Sequence, residues 1–205
     1  MIKRQNYYFP DHDRDCHAVI IDQSADIYIV LHYVQDFSIC VQAGGNVGIW
    51  PFILSDFFDL IYTFEPDPEN FACLQENLKS KKNIVMFEEG LSFDRESITV
   101  KSPDDAHLYN CGAYQVFPGT TPTRRIDDLH LNSCGLIYLD IEGYELKALQ
   151  GAQDTIQTFL PVIVFEDKNL PLMYGKQVGD VEKWLETFGY KVAKRIHRDV
   201  ICIPY

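Results

Sequence analysis

The run Gln42-Ala43-Gly44-Gly45-Asn46-Val47-Gly48 is followed about 20 residues later by Phe64-Glu65-Pro66. That spacing lets a tight glycine turn and an acidic side chain meet one nucleoside-type ligand. Gly44 and Gly45 permit a strained turn and lay bare backbone against a ligand, and the helix start that follows offers unpaired N–H groups to a carboxylate or phosphate. Asn46 adds a side-chain hydrogen-bonding group to the same turn. A carboxylate at Glu65 can accept both vicinal hydroxyls of a ribose, although an acid beside Pro66 also suits a helix start for dipole reasons alone. A glycine turn by itself is common; its distance from Glu65 favours ribose binding. Because Gly44 and Gly45 are adjacent and Asn46 follows them, the turn departs from G-x-G-x-x-G, which speaks against NAD.

A second acidic group, Asp140, Glu142 and Glu145, surrounds Gly143. Asp140 is the stronger functional candidate, as base or as orienting group for a reacting hydroxyl, while acids at a helix start such as Glu145 are common structural features. A bound sulfonium cation would be favoured by this cluster, and a pyrophosphate repelled. Glu142, Glu166 and His107 stand in reserve as bases; a lone histidine such as His107, beside Asp104 and Asp105, is more often incidental. No third oxygen ligand is evident beside Asp140 and Glu142, and the six cysteines contain no C-x-x-C pair, so no metal site is expected. Reduced, mostly buried thiols are the better reading of the cysteines.

These residues need strands to carry them to one edge. Apolar runs alternate with amphipathic stretches in the manner of β-α-β units, which predicts an α/β fold with a mostly parallel sheet. Strands are expected at 38–43, 60–65, 84–87, 135–140 and 161–166, each carried to a polar or glycine-marked end, with a closing pair at 190–195 and 200–203. Helices are expected at 49–58, at 144–158, at 178–188, and from Pro68 to Lys79 with Asp67 as N-cap and Phe71, Leu74 and Leu78 on one face. Ser24 is read as the cap of an N-terminal helix reaching Val34, within a helical extension over 1–37. Segments 97–101 and 113–117 read as an inserted hairpin, a natural lid or substrate wall, with Asn110 and Tyr114 placed to line it. The crevice outside the carboxyl ends of the strands would then gather Gly44, Glu65, Asp140 and Glu166.

With 205 residues, 46% hydrophobic and 23% charged, the chain reads as one globular domain over 1–205. It has no apolar stretch long enough to span a membrane and no secretion-signal pattern at its start, so cytoplasm is the default expectation. A net charge of -12 argues against nucleic acid as partner. Nothing in the sequence fixes an oligomeric state.

Taken together, the motifs resemble the FkbM family of S-adenosylmethionine-dependent methyltransferases. The family's D-x-G-A-N-x-G turn, F-E-P-x-P-x-N segment, D-x-E-G-x-E strand end and late apolar strand closing on Glu have counterparts at 42–48, 64–70, 140–145 and 162–166. Arg125-Ile126-Asp127-Asp128-Leu129 is similar to its T-L-D-D-L helix start, and Leu149-Gln150-Gly151-Ala152 also agrees. The resemblance covers about residues 38 to 170. It implies the seven-stranded class I methyltransferase sheet (Rossmann-like) with an antiparallel C-terminal pair, S-adenosylmethionine as cofactor held by Gln42, Gly44, Gly45, Asn46, Gly48, Glu65, Pro66 and Asp140, and O-methylation of a small-molecule or carbohydrate hydroxyl. Three positions depart from the family pattern. Gln42 replaces the usual acid, so an amide carbonyl would meet the methionine amino group; Gly45 replaces Ala, and Tyr138 replaces a frequent Lys. A catalytically silent binding protein and a methyltransferase of a nucleic-acid ribose are the alternative readings.

Overall fold

The computed structural model describes residues 1–102, 109–167 and 177–205. The chain opens on a short antiparallel hairpin, β1 (Ile2–Arg4) and β2 (Tyr7–Phe9), with Ile2 opposite Phe9. Then come α1 (Cys16–Gln23), a 3-10 turn at Ser24–Asp26 and α2 (Ile27–Leu31). The 1–37 segment is therefore not purely helical, and Ser24 stands at the C-terminal end of α1 instead of capping the start of a helix. Its hydroxyl donates back to the Ile21 carbonyl at 2.7 Å, a bond that joins the end of α1 to the 3-10 turn.

The β-α-β pattern then appears in order: β3 (Ile39–Ala43), α3 (Ile49–Leu54), β4 (Leu60–Phe64), α4 (Pro68–Leu78) and β5 (Ile84–Phe87). Asp67 caps α4 by accepting the N–H groups of Glu69 at 3.0 Å and Asn70 at 2.8 Å, an arrangement typically worth about 1 kcal/mol. Pro68 opens the helix where its missing N–H costs nothing. After β6 (Gly90–Leu91), the expected hairpin forms as β7 (Ser97–Lys101) and β8 (Gln115–Pro118), antiparallel with Ile98 opposite Pro118. It is larger than a hairpin. With β9 (Thr121–Arg124), the strands make a four-stranded sheet ordered β6-β9-β7-β8.

The chain returns through a 3-10 turn at Ile126–Leu129 to β10 (Leu136–Leu139), α5 (Glu145–Gln150), α6 (Gln153–Phe159) and β11 (Val162–Glu166). It closes with α7 (Asp180–Glu186), β12 (Tyr190–Ile196) and β13 (Asp199–Pro204). The helix expected over 144–158 is split. Gly151 lies so near the Ser92 carbonyl that a Cβ would stand 2.4 Å from it, and its own carbonyl accepts the Asp127 N–H at 3.0 Å. Asp127 then caps α6 across space through the N–H groups of Asp154 and Thr155.

The main sheet has seven strands ordered β12-β13-β11-β10-β3-β4-β5, parallel except for β13, which runs antiparallel to both of its neighbours. Alternate side chains feed two cores. Cys40, Ile61, Tyr138 and Val164 meet Phe9, Trp50 and Leu54 on one face, and Val41, Ile137, Leu139, Ile163 and Phe165 meet Leu149, Ile156 and Leu185 on the other. Burying each large apolar side chain contributes about 1.5–3 kcal/mol. Such burial fixes the register: Ala43 pairs with both Phe64 and Leu139, and Leu139 with Phe165. Gly44, Glu65, Asp140 and Glu166 consequently emerge at a single sheet edge.

Candidate functional site

Gly44 leaves β3 with φ +77, a left-handed conformation that disfavours any side chain. A Cβ there would lie 1.9 Å from the Asp140 carbonyl oxygen. The turn is therefore seated directly on the end of β10, and only glycine fits. Asn46 is also left-handed, at φ 46; its Oδ1 accepts the Val47 N–H at 2.7 Å and its Nδ2 donates to the Cys111 carbonyl at 2.9 Å.

Glu65 follows β4 and is almost wholly buried, with 4% of its surface exposed. One carboxylate oxygen accepts the Asn46 N–H at 2.7 Å and the other the Asp67 N–H at 2.9 Å. Burial nevertheless pushes its carboxyl up to about 7, against the opposing pull of those backbone donors. The Asn70 side chain is a third partner of this carboxylate, which keeps acceptor capacity where it borders a cavity of about 1020 Å³.

Gly44, Asn46, Pro66, Asp140, Glu142 and Glu166 border the same cavity. Glu142 is held at φ 55 and the next residue, Gly143, at φ 96. A left-handed glutamate is costly and such strain concentrates at functional sites. The turn is fixed from behind by Glu145, which accepts the N–H groups of Ile141 at 3.1 Å and Gly143 at 3.2 Å. Buried at 1% exposure, Glu145 has its carboxyl pushed up to about 8 by desolvation. Its place is structural.

The remaining expected cofactor contacts lie elsewhere. Gln42 is fully buried in β3 and does not border the cavity. Its carbonyl accepts the Thr63 hydroxyl at 2.5 Å, and its amide donates to the carbonyls of Ala43 and Gly44. The register that pairs Gln42 with Thr63 puts both side chains on the same side of the sheet, so the amide expected to meet a methionine amino group is spent inside the protein. Gly45 lies beneath the turn, where a Cβ would strike Leu74 at 2.6 Å and Thr63 at 2.9 Å. Gly48, at φ +94, packs on Leu78. These two glycines shape the turn from the side away from the cavity.

Asp140, Glu142 and Glu166 each place a carboxylate oxygen within 4.8 Å of the others. The expectation that no third oxygen ligand stands beside Asp140 and Glu142 is thus corrected, because the parallel pairing of β10 and β11 brings in Glu166 from 24 or more residues away. Three such oxygens are hard donors of the kind that hold Mg²⁺ or Ca²⁺. His107 lies outside the described residues.

Two cavity side chains, Tyr138 and Asn70, carry contacts that the sequence motifs did not assign to them. Tyr138 donates to the Asp199 carboxylate at 2.8 Å and packs beside Trp50, with ring centroids 5.8 Å apart. Burial and the facing carboxylate push the Tyr138 phenol well up. Asn70 donates to the Cys111 carbonyl at 2.8 Å. The Asn70 position was visible as the last residue of F-E-P-x-P-x-N, whereas the link between Tyr138 and Asp199 depends on β13 inserting beside β11. Asn110 and Tyr114 both border the cavity as expected; Tyr114 faces His12 Nε2 at 3.1 Å.

The Methyltransferase FkbM domain matches residues 42–192 of the chain. The hexuronic acid methyltransferase AglP of Haloferax volcanii is 23% identical over 143 residues, which are 67% of this chain and 59% of that protein. The crystal structure of the methyltransferase FkbM from Methylobacillus flagellatus superposes with a TM-score of 0.60 at 20% identity, covering 89% of this chain and 48% of the other. A Streptococcus mutans protein solved in complex with SAH has a TM-score of 0.51 at 13% identity, with both chains covered in full. The chain thus spans about half to three-fifths of the length of the first two relatives.

Proposed function

Since the chain belongs to the FkbM methyltransferase family, whose cofactor is S-adenosylmethionine, we propose that its cavity binds that cofactor and directs methyl transfer to a hydroxyl oxygen of a small carbohydrate-like acceptor. The observation that carries the proposal is Glu65. A buried carboxylate is costly unless its acceptor sites are used, and this one faces a large cavity with acceptor capacity left after meeting Asn46, Asp67 and the Asn70 side chain. A ribose diol supplies hydroxyl donors for that capacity. Gly44 offers bare backbone beside it, and the acids at Asp140 and Glu142 suit a positively charged sulfur. The donor set therefore fits the cofactor.

When bound, the cofactor supplies a methyl group already activated by the sulfonium charge. What the protein adds is alignment and proton handling. Asp140 takes the proton that the acceptor hydroxyl loses, and Glu142, fixed by its strained turn, orients that hydroxyl. Ile98, Val100 and Val116 of the four-stranded sheet wall the cavity with apolar surface, which limits water around the reacting oxygen. A cavity of about 1020 Å³ has room for a nucleoside cofactor together with an acceptor. The sugar acted on by the Haloferax relative supports a carbohydrate acceptor, and the net charge of -12 disfavours a polyanionic one.

Titration calorimetry with S-adenosylhomocysteine tests the cofactor step, and product release over a panel of neutral, amino and acidic sugars tests the acceptor. Absence of binding heat would remove the reading altogether. Binding without turnover on any hydroxyl acceptor would instead leave a catalytically silent binding protein.

A further inference from the structure

Cys16 and Cys111 lie far apart in sequence and are brought face to face by one carboxylate. Asp13, fully buried, accepts the backbone N–H of Cys16 at 3.1 Å and that of Cys111 at 3.4 Å on the same oxygen, Oδ1. Its Oδ2 accepts the His17 N–H at 3.3 Å and faces His17 Nδ1 at 3.1 Å. The two Sγ atoms and an Asp13 oxygen all lie within 4.8 Å of one another. Both thiols also converge on Asn46 Oδ1, at 4.0 Å and 3.9 Å, and both residues border the large cavity, which gives a small reagent a route to them.

Two chemistries suit paired thiols beside a carboxylate: a soft-metal chelate and a disulfide. Asp13 decides between them. With a pair of close partners on each oxygen it has little left to offer a metal, and what it does instead is hold two cysteine backbones together.

We infer that Cys16 and Cys111 form a reversible disulfide site in the wall of the cavity, taking a low-molecular-weight disulfide as its oxidant. The site does not rest on the methyl-transfer reading, because it requires only the folded chain. Cys16, at 5% exposure, is more open to the cavity than Cys111 at 1%, so Cys16 is the first nucleophile. Its thiolate attacks one sulfur of the oxidant, forming a mixed disulfide and expelling the first thiolate. Cys111 then attacks the Cys16 sulfur and expels the second. The two cysteine thiol protons pass to the two leaving thiolates, so one small disulfide is reduced to two thiols as one protein disulfide forms. Drawing the sulfurs to the covalent distance of about 2.05 Å pulls them away from Asn46 and ties α1 to the segment before β8.

The test uses the full chain in glutathione buffers graded from reduced to oxidised, quenched by alkylation and mapped by peptide mass spectrometry. The expected product is a Cys16–Cys111 cross-linked peptide, with loss of two free thiols per chain, reversal by reduced glutathione, and a melting temperature several degrees higher in the oxidised form. Cys111→Ser is expected to trap a glutathione adduct at Cys16, since the resolving thiol is gone. The inference is overturned if oxidised wild-type protein leaves both cysteines free or carries only glutathione adducts on them. It is equally overturned if the purified protein holds stoichiometric zinc that protects both thiols.

Discussion

The main-chain N–H of Asn46 meets the Glu65 carboxylate at 2.7 Å while Asn46 itself sits in the left-handed region. The glycine turn and the acid at the tip of β4 are therefore one hydrogen-bonded unit, and a change in either is felt in the other.

Replacing Glu65 separates two effects. Glu65→Ala is expected to weaken S-adenosylhomocysteine binding by about 2–3 kcal/mol, as charge-assisted hydrogen bonding to the diol is lost, or roughly 30- to 100-fold in Kd. Glu65→Gln presents only one carbonyl oxygen to two backbone donors, Asn46 and Asp67, so it should also lower the melting temperature. Calorimetry and thermal unfolding on both variants check this; undiminished affinity in Glu65→Ala would remove Glu65 from the site.

The same carboxyl makes binding depend on pH. In the free protein it titrates near 7, and a ribose diol donates to the ionised form. Affinity should therefore rise as pH increases through about 7, with proton release on binding just below that pH. Titrations in buffers of differing ionisation enthalpy read the proton directly.

Asp140→Asn is expected to keep affinity for the uncharged thioether S-adenosylhomocysteine within a fewfold and to lower turnover by about 10²-fold or more, the range of a general base. The measurement pairs calorimetry with release of S-adenosylhomocysteine at saturating acceptor. Turnover at the wild-type level would strip Asp140 of the base role.

Glu145 gives a stability prediction with a definite sign. Its carboxyl is raised from 4.5 to about 8 in the folded chain, so the folded state holds a proton that the unfolded state has released. Its contribution is complete below pH 4.5 and is lost as pH rises through about 8. Glu145→Gln keeps an acceptor for Ile141 and Gly143 and should flatten this fall, as measured by denaturant unfolding at several pH values.

Gly44→Ala combines a left-handed φ with a Cβ 1.9 Å from the Asp140 carbonyl. A cost of about 3 kcal/mol or more is expected from strain and overpacking together. Gly179→Ala is the control. It shares a positive φ but meets nothing within 4 Å, so only about 1–2 kcal/mol should be lost.

The strand ends that build the site were legible because long β-prone runs stop at Gly44, Glu65, Asp140 and Glu166, and local pattern determines such boundaries. What stayed hidden was set by neighbours distant in sequence. The helix over 144–158 is periodic throughout, yet it breaks where Gly151 packs on Ser92. Gln42 occupies the motif position of a ligand-binding acid, but the register opposite Thr63 consumes its amide. The first hairpin escaped notice because three-residue strands carry almost no alternation.

The order of strands in the seven-stranded sheet has a practical corollary for anyone trimming this gene. The family match stops at residue 192, yet β13 (Asp199–Pro204) is an interior strand wedged between β11 and β12. A clone cut to the matched stretch would strip β11 of one partner, orphan the remnant of β12, and remove the carboxylate that receives the Tyr138 phenol. Cutting at residue 42 would discard β3 apart from its last two residues, along with Cys16, Ile20 and Asp26, which form part of the cavity wall. The smallest piece worth expressing therefore extends well past both ends of the recognisable motif.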